Sequence, residues 1–440
     1  MWRHRIRPRE GWERIVTEQG LVYPVTALPD GSTKPYWNES AWYEFTIEEI
    51  ESLESATEEL WAMCVDAAGF MASPGSGFTD ARLGLPAGAL DVVRRSMERR
   101  DPMLYARFDL VYGADGAIKM LEINGDTPTG LVETGVAQWR WLEDVMPDLD
   151  QWNSVHDRLV NAWRRLRNTG AITGNGVHFL YDLGEGDSYD GGEIEMTAYY
   201  LMDTAVQAGL ATLAHPMAEV GWNPDTREFR DVNDDRITNA FKLYAWEEML
   251  GEAFGRHLID QDEARPVRWF EPAWKAMLST KALLPVLWAR NPGHRLLLPA
   301  WLDTPGDLTE WVAKPLFGRE GDNIRIHLAD GSEDLVMPGP YGAEGYVYQA
   351  YTQLPVFEGN QVVLGSWIID NEAAGMIVRE SDGMVTDYFS RVVPHVISDT
   401  LGPDAAQVEA WLLDRVGPEA PRTSPGGPDR PLDGVPGSES

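Results

Sequence analysis

The stretch that most constrains the fold runs from 107 to 129, RFDLVYGADGAIKMLEINGDTPT, and its pattern predicts a β-hairpin. Asp115 and Gly116 in its middle suit a two-residue reversing turn, because both tolerate the positive φ that such turns need. Side chains of a strand alternate between two faces. One face is apolar and can be buried; it carries Phe108, Leu110, Tyr112, Leu121 and Ile123.

The other face of the predicted hairpin crowds polar groups together. The turn places Asp109 opposite Glu122 and Arg107 opposite Asn124. Two carboxylates about 5 Å apart repel each other by about 1 to 3 kcal/mol at effective dielectric constants of about 80 to 20, so we expect a cation between them. Mg²⁺ prefers such oxygen ligands and keeps open positions for phosphate oxygens. An ordinary exposed hairpin in an acidic chain is the alternative interpretation.

Composition limits the classes of function. A chain of 440 residues has room for two or three domains, and its formal net charge of −33 argues against nucleic-acid and anionic membrane partners. The single cysteine, Cys64, excludes an intrachain disulfide. The basic start is followed by no apolar run, and no segment has the apolar length of a membrane span. We therefore expect a soluble, cytoplasmic protein.

Hydrophobic periodicity predicts a mixture of helices and strands. Thr46 is a candidate N-cap for the first long helical pattern. From Glu271 onward, the sequence is typical of strands, glycine-containing loops and isolated lysines. A strand is expected at 177–181, and helical patterns occupy 41–69, 87–99, 132–145, 153–167, 193–209 and 239–254.

Several later motifs are suited to phosphate. The loop FGREGDNI at 317–324 can present backbone N–H groups to phosphate oxygens, with Lys281 and Lys314 as point charges. Arg379 could neutralise charge on a transferring phosphoryl group. Taken singly, each basic residue is better explained as an exposed surface group. The Walker, GxGxxG and GxSxG patterns are absent, which removes support for P-loop, Rossmann and serine-hydrolase interpretations.

The turn NGDTPTG adds the hydroxyls of Thr127 and Thr129 directly after the hairpin. Hydroxyl and backbone donors in such a turn can hold a carboxylate or a phosphate. The alternative is a loop that Asp126 and Pro128 stabilise.

The order of these motifs resembles that of the glutathionylspermidine synthetase family, in particular its stand-alone synthetase-like proteins, from about residue 7 to 394. The better-known bifunctional members carry a cysteine-dependent amidase domain ahead of the synthetase, for which this chain has neither the length nor a suitable cysteine. The matching motifs are LYARFDL, LEINGDTPT, FKLYAWEEML, EPAWKAMLSTKALLPVLW, VAKPLFGREGDNI, the stretch 365–374 and SRVVPH.

This resemblance implies an α/β (α+β) ATP-grasp fold, with antiparallel sheets flanked by helices and a nucleotide held between two lobes. It also implies an inserted α/β substrate domain. We expect residues 1–150 to form the N-terminal part with the hairpin, 151–265 the insert and 266–400 the nucleotide-binding part. The Pro-, Gly- and Ser-rich tail at 417–440 is expected to be disordered.

The resemblance further implies an ATP- and magnesium-dependent ligase. Such an enzyme joins a carboxylate, for example that of a small peptide, to an amine, for example a polyamine, through an acyl phosphate, and releases ADP and phosphate. By position, Asp109, Glu122 and Asn124 resemble the family's magnesium ligands. Arg107 and Arg379 resemble the arginines that stabilise the acyl phosphate and the transition state.

The remaining site residues follow from the same resemblance. Thr127 and Thr129 fall where the family has serines that contact the peptide substrate. Glu193 and Glu195 are weak candidates for the amine site. The positions that resemble the family's ATP site are Lys281 and Lys314 on the phosphates, Glu320 and Gly321 in the closing loop, Gln349, Ala350, Tyr351 and Thr352 near adenine, and Met384 on the base pocket wall.

Two other functions remain open. A nucleotide-binding regulatory protein could keep the fold without ligation. A metal-dependent phosphohydrolase could use the same carboxylates without an acceptor amine.

Overall fold

The predicted hairpin forms one edge of an antiparallel sheet, here called the central sheet. The structure is a computed structural model that describes residues 1–28, 30–174, 176–183, 192–261, 266–399 and 402. In spatial order, the strands of the central sheet are Arg391–Val393, Glu372–Ser381, Asn360–Ile369, Tyr105–Tyr112 and Ile118–Asn124, with Val356–Phe357 paired to Asn360–Ile369.

The register of the hairpin is as predicted at the polar face. Asp109 pairs with Glu122, and Arg107 pairs with Asn124. The polar groups therefore share one face, as the alternation of strand side chains requires.

The predicted two-residue turn at Asp115 and Gly116 is wrong. Gly113 N–H donates to the Ala117 carbonyl oxygen at 2.8 Å, so three residues lie between the paired positions, and Gly116 takes the positive φ of 79°. The register shifts once more beyond Asp109, where Leu121 is the extra residue of a β-bulge. The longer turn and the bulge offset each other, which is why the predicted register is still correct at the polar face.

The central sheet is covered on both faces. The helix Ile47–Ala72 packs on one face, where the Thr57 hydroxyl lies 2.7 Å from the Ser366 hydroxyl. Thr46 caps this helix as predicted, in a capping box with Glu49. The other face packs around the buried Trp367 on a second cluster that includes the helix Val155–Asn168, and the rest of that face remains open toward a cavity.

Two further sheets complete the frame of the cavity. The outer sheet is antiparallel, and its strands in order are Ala300–Leu302, Tyr346–Ala350, Trp311–Pro315, Arg325–His327 and Leu335–Val336. The parallel sheet has the order Arg268–Phe270, Asn239–Leu243, Gly176–Tyr181 and Ala211–Pro216.

The helix predicted over 239–254 is wrong in its first part. Asn239–Leu243 is a buried inner strand of the parallel sheet, and only Trp246–Gly251 is helical in the second part, followed by a short helix from Arg256. Strands of parallel sheets are apolar on both faces, so a short apolar run cannot be distinguished from a buried helix by periodicity. Lys242 therefore lies inside the protein rather than on a helix surface.

The other predicted helices and the strand at 177–181 are confirmed, except that the strand Ala41–Phe45 occupies the start of the first helical pattern. The strands expected from Glu271 onward begin only at Ala300, because 273–279 and 283–290 are helical. The predicted tail lies outside the described residues. No helix in the described part of the chain is long and apolar enough to cross a membrane.

The smaller sheets pair Trp2–Arg5 and His395–Ile397 with Ala41–Phe45, Val25–Ala27 with Thr33–Pro35, and Gly221–Asn223 with Glu228–Arg230. The α-helices not yet given are Trp12–Glu18, Ala89–Glu98, Trp139–Val145, Glu193–Gln207, Arg256–Asp260, Ala276–Ser279 and Leu283–Arg290; Glu133–Gln138 is a π-helix, and Ala81–Leu83, Met217–Glu219 and Ala273–Lys275 are 3₁₀-helices.

Candidate functional site

A cavity of about 1080 Å³ is lined by strands of the central, outer and parallel sheets. Apart from the amine-site candidate Glu195, every site residue predicted from the sequence lines this cavity, so the fold brings together positions from 107 to 384. The individual roles of these residues remain predictions. These residues are Arg107, Asp109, Glu122, Asn124, Thr127, Thr129, Lys281, Lys314, Glu320, Gly321, Gln349, Ala350, Tyr351, Thr352, Arg379 and Met384.

Two lysines approach the same carboxylate. The Nζ atoms of Lys281 and Lys314 lie 3.7 and 3.8 Å from Glu122 Oε2. Each is also held by a backbone carbonyl at 2.9 Å, that of Gly318 for Lys281 and that of Leu121 for Lys314. Burial lowers the pKa of Lys314, and Glu122 opposes this only in part. Both ammonium groups are thus fixed in place beside the hairpin.

Two arginines bracket the other carboxylate. Arg379 Nη2 donates to Asp109 Oδ2 at 2.6 Å, and Arg107 Nε donates to Asp109 Oδ1 at 3.2 Å. Arg107 also donates to the Thr129 carbonyl oxygen. Burial alone would raise the pKa of Asp109, but Arg379 and Arg107 outweigh it and hold the pKa below its usual range. Asp109 is therefore ionised at neutral pH.

The oxygen donors of this face fit magnesium. Proteins hold Mg²⁺ through one or two carboxylates and leave the remaining positions to water and phosphate. Asp109 and Glu122 offer the carboxylates, and the Asn124 amide lies 3.5 Å from Asp109. Among the described residues, no group of three or more His, Cys, Asp or Glu side chains is placed to hold a metal ion. The magnesium site therefore remains a prediction.

Gly365 makes the arrangement of the arginines possible. It pairs with Asp109 on the neighbouring strand. A Cβ atom at this position would lie 2.5 Å from Ile377 Cγ2 and 3.0 Å from Arg107 Cδ. Because glycine has no side chain, the Arg107 side chain can lie across the neighbouring strand at this position.

One end of the cavity is apolar. Gln349 is buried, and its side chain donates to the Met120 carbonyl oxygen at 3.3 Å, which ties the strand Tyr346–Ala350 to the hairpin. On the same strand, Met120 directly precedes Leu121 and Glu122. The apolar end is therefore next to the two lysines, which lie beside Glu122. The apolar side chains that line this end are Val312, Ile326, Leu354, Val363 and Met384.

The glycine-rich loop lies over the cavity and contacts two neighbours. Gly321 has a φ of 78°, and a Cβ atom there would lie 2.4 Å from Val385 Cγ1, so only glycine fits. Arg319 of the same loop forms an ion pair of 3.1 Å with Glu248 on the helix Trp246–Gly251. The loop thus joins the outer sheet to the segment after the parallel sheet.

The polar part of the cavity lining, here called the acidic end, includes several carboxylates. Glu193, one of the two weak candidates for the amine site, lines it, whereas Glu195 accepts a hydrogen bond from Tyr181 at 3.3 Å and does not line it. Glu247 and Glu248 line the same cavity, and no role was predicted for either, although both occur in the motif FKLYAWEEML.

A buried carboxyl group positions two tyrosines of this end. The hydroxyls of Tyr23 and Tyr36 both donate to Glu133 Oε1, at 3.0 and 2.7 Å. Burial raises the pKa of Glu133. Both tyrosines line the cavity, and no local sequence signal pointed to them because their partner lies about a hundred positions away.

Asp126 fastens the segment after the hairpin to the parallel sheet. Its Oδ1 accepts from Lys242 Nζ at 2.6 Å, and its Oδ2 accepts from the Trp246 backbone N–H at 2.9 Å. Both charged side chains are buried. This pair supports the position of Thr127, which directly follows Asp126.

Comparison with known proteins yields related synthetases and ligases. A Haemophilus influenzae protein that bears the provisional name acid–amine ligase is 36% identical over 382 residues, which cover 84% of this chain and 92% of that protein. Trypanothione synthetase of Crithidia fasciculata is 26% identical over 67% of this chain and 47% of its own length. The bifunctional glutathionylspermidine synthetase/amidase of Escherichia coli is 24% identical over 82% of this chain and 60% of its own length.

A solved structure supports the fold. A glutathione synthetase-like effector from Globodera pallida, in its apo form, superimposes with a TM-score of 0.51 at 11% identity, over 88% of this chain and 96% of that chain. The pattern of the family described as glutathionylspermidine synthase preATP-grasp matches residues 3–398. With nearly its whole described length matched in this way, the chain belongs to the glutathionylspermidine synthase preATP-grasp family.

Proposed function

We propose that this protein is an ATP-dependent ligase that joins a carboxylate to an amine through an acyl phosphate and releases ADP and phosphate. One observation carries the proposal: Arg107, Lys281, Lys314 and Arg379 line one cavity of a chain whose formal net charge is −33. Four positioned cations around one pair of carboxylates suit a polyphosphate, because phosphate oxygens can be paired with positioned cations.

The nucleotide occupies the apolar end of the cavity, with its base beside Met384 and the segment 349–352. Its phosphates lie toward Lys281 and Lys314, with Glu320 and Gly321 in the loop above them. The two lobes predicted from the sequence are then the central and outer sheets, with the nucleotide between them. Support for this placement is the order of contacts along the hairpin, where Met120 adjoins Gln349 and Leu121 adjoins Lys314.

The acid substrate lies at the other side of the charged cluster. Thr127, Thr129 and Arg107 hold its carboxylate, which attacks the terminal phosphorus of ATP and expels ADP. Arg107 and Arg379 stabilise the negative charge of the transferring phosphoryl group and of the acyl phosphate. Asp109, Glu122 and Asn124 would hold Mg²⁺, which neutralises phosphate charge when bound.

The amine then displaces phosphate from the acyl phosphate and forms the C–N bond. Its approach is from the acidic end, where Glu193, Glu247 and Glu248 line the cavity. Carboxylates attract ammonium groups, so a cationic amine such as a polyamine is the acceptor that this end favours.

The test is an assay of ADP release with ATP and Mg²⁺. Pooled small peptides and amino acids are supplied with or without pooled amines and polyamines, and mass spectrometry searches for products one water lighter than the two parents together. We expect ADP only when an acid and an amine are both present. Condensed products identify the substrates.

Arg379→Ala serves as the active-site variant and Arg14→Ala as its matched control, because Arg14 is exposed and pairs with Glu18 on its own helix. Removing one charge-stabilising group commonly lowers turnover by about 10²- to 10³-fold. We expect this loss in Arg379→Ala, with calorimetric nucleotide binding retained, and no loss in the control. Normal turnover in Arg379→Ala would contradict the assignment.

Two other outcomes would replace the proposal. ADP release without a condensed product would indicate the phosphohydrolase. Nucleotide binding without ADP release under any pair of pools would indicate the regulatory protein.

A further inference from the structure

Glu247 is a carboxylate of the cavity that the steps above leave without a defined role. It lies in the first turn of the helix Trp246–Gly251 and lines the cavity. The Ser279 hydroxyl donates to Glu247 Oε2 at 2.9 Å. The carboxylate is thus oriented by a neutral donor.

The surroundings of Glu247 favour a carboxyl group that can take up a proton. Burial raises the pKa of Glu247, the nearby Asp126 raises it further, and Arg319 of the glycine-rich loop opposes this in part. Arg319 forms its own ion pair with the adjacent Glu248. In the described part of the chain, Lys242 is engaged by Asp126 and no basic side chain forms an ion pair with Glu247.

The Glu247 carboxylate lies between the segment proposed to hold the acid and the segment proposed to hold the phosphates. The N–H of Trp246 is bound by Asp126, which directly precedes the predicted acid-binding Thr127. Ser279, the hydrogen-bond donor, lies two residues before the predicted phosphate-binding Lys281. The carboxylate therefore adjoins both the segment that holds the acid and the segment that holds the phosphates, at the acidic end where the amine enters.

We propose that Glu247 is the proton acceptor for the attacking amine. This inference rests on the proposed ligase function and adds to it the group that makes the nucleophile. An amine of ordinary basicity arrives as an ammonium ion, which has no lone pair, and it becomes nucleophilic only after it loses a proton.

The ammonium group gives one proton to the Glu247 carboxylate, and the freed lone pair attacks the acyl carbon and forms the C–N bond. The bond between the acyl carbon and the phosphate oxygen breaks. A second N–H proton leaves with the phosphate as hydrogen phosphate, and Glu247 then releases its proton to water.

The experiment compares two kinds of acceptor in wild type, Glu247→Gln and the control Glu18→Gln, because Glu18 is an exposed carboxylate that pairs with Arg14 on its own helix. The acid pool, ATP and Mg²⁺ are supplied with the pooled amines or with hydroxylamine. Hydroxylamine is uncharged at neutral pH and needs no proton acceptor before it attacks. We expect Glu247→Gln to lower amide formation with the pooled amines by about 10²- to 10⁴-fold. Its hydroxamate formation should stay within a few-fold of wild type, and Glu18→Gln should not separate the two acceptors.

The pH dependence gives a second readout. Rising pH converts more of the amine to its neutral form in solution, so amide formation by Glu247→Gln should recover steeply toward the wild-type rate. A residue that only supports the fold would not produce this recovery, and hydroxamate formation itself reports that the variant is folded.

The outcomes separate this inference from the proposed function. Equal losses with both acceptors, in Glu247→Gln and in Glu247→Ser alike, would assign a structural role and overturn the inference. Unchanged amide formation in Glu247→Gln would also overturn it. If wild type forms neither amide nor hydroxamate, the ligase function itself is refuted, and the inference with it.

Discussion

The buried pair of Lys242 and Asp126 allows a sharp test of what holds the site together. Their side chains are 0% and 1% exposed, and the charged atoms lie 2.6 Å apart. We predict that Lys242→Met destabilises the protein markedly, because it leaves Asp126 buried with the Trp246 N–H as its remaining partner from this cluster.

The expected magnitude follows from the geometry. At an effective dielectric constant of about 20, charges at this separation attract each other by about 6 kcal/mol, and this attraction offsets the desolvation of both groups. Removal of one partner of a buried pair commonly costs about 3 to 5 kcal/mol. Asp126 keeps a backbone donor, so we expect a loss near about 3 kcal/mol in the free energy of unfolding.

The assay is urea unfolding followed by tryptophan fluorescence. Lys34→Met is the matched control, because Lys34 pairs at 3.3 Å with Asp382, whose side chain is 68% exposed, and such a pair contributes at most about 1 kcal/mol. The double variant Lys242→Met/Asp126→Asn should recover about 1 to 3 kcal/mol of the loss, since it removes the unpaired charge. The reasoning is refuted if Lys242→Met is as stable as Lys34→Met, or if the double variant recovers nothing.

Two further predictions concern the nucleotide. Burial, opposed in part by Glu122, lowers the pKa of Lys314, so its positive charge is lost at a lower pH than that of an ordinary lysine. We expect calorimetric ATP affinity to fall from about pH 7 to about pH 10, and to fall less in Lys314→Arg, which stays charged; equal slopes would contradict the assignment. Arg319→Ala should raise the KM for ATP without a large change in stability, because it frees the glycine-rich loop from Glu248 by breaking a partly exposed pair. Glu248→Gln should reproduce this effect, and a KM at the wild-type value in both variants would argue against the contact.

The alternation of residues in the hairpin was enough to predict its polar face. Asp109 and Glu122 lie opposite each other because strand side chains alternate and because turn residues lie between two apolar patterns. The turn itself was predicted wrongly, since a three-residue reversal and the bulge at Leu121 together give the same register as a two-residue turn. Local pattern determines which residues share a face, but several backbone geometries satisfy the same pattern.

The strand Asn239–Leu243 illustrates a limit of local reasoning. Its residues were assigned to a helix because a short apolar run carries no clear period when both faces are buried. Only the neighbours Gly176–Tyr181 and Arg268–Phe270, which come from distant parts of the chain, make it an inner strand. The cluster of Glu133 with Tyr23 and Tyr36 is not predictable from local sequence either, because its members also come from distant parts of the chain.

The sequence by itself determined the kinds of groups that the site contains and, through the order of its motifs, the family to which the chain belongs. The tertiary structure decided the electrostatic state of those groups. Asp109 is held ionised by Arg379, which lies 270 positions away, and Glu247 is surrounded by residues from the hairpin end and the glycine-rich loop. Periodicity depends on residues a few positions apart, whereas desolvation and ion pairing depend on whatever the fold packs against a group.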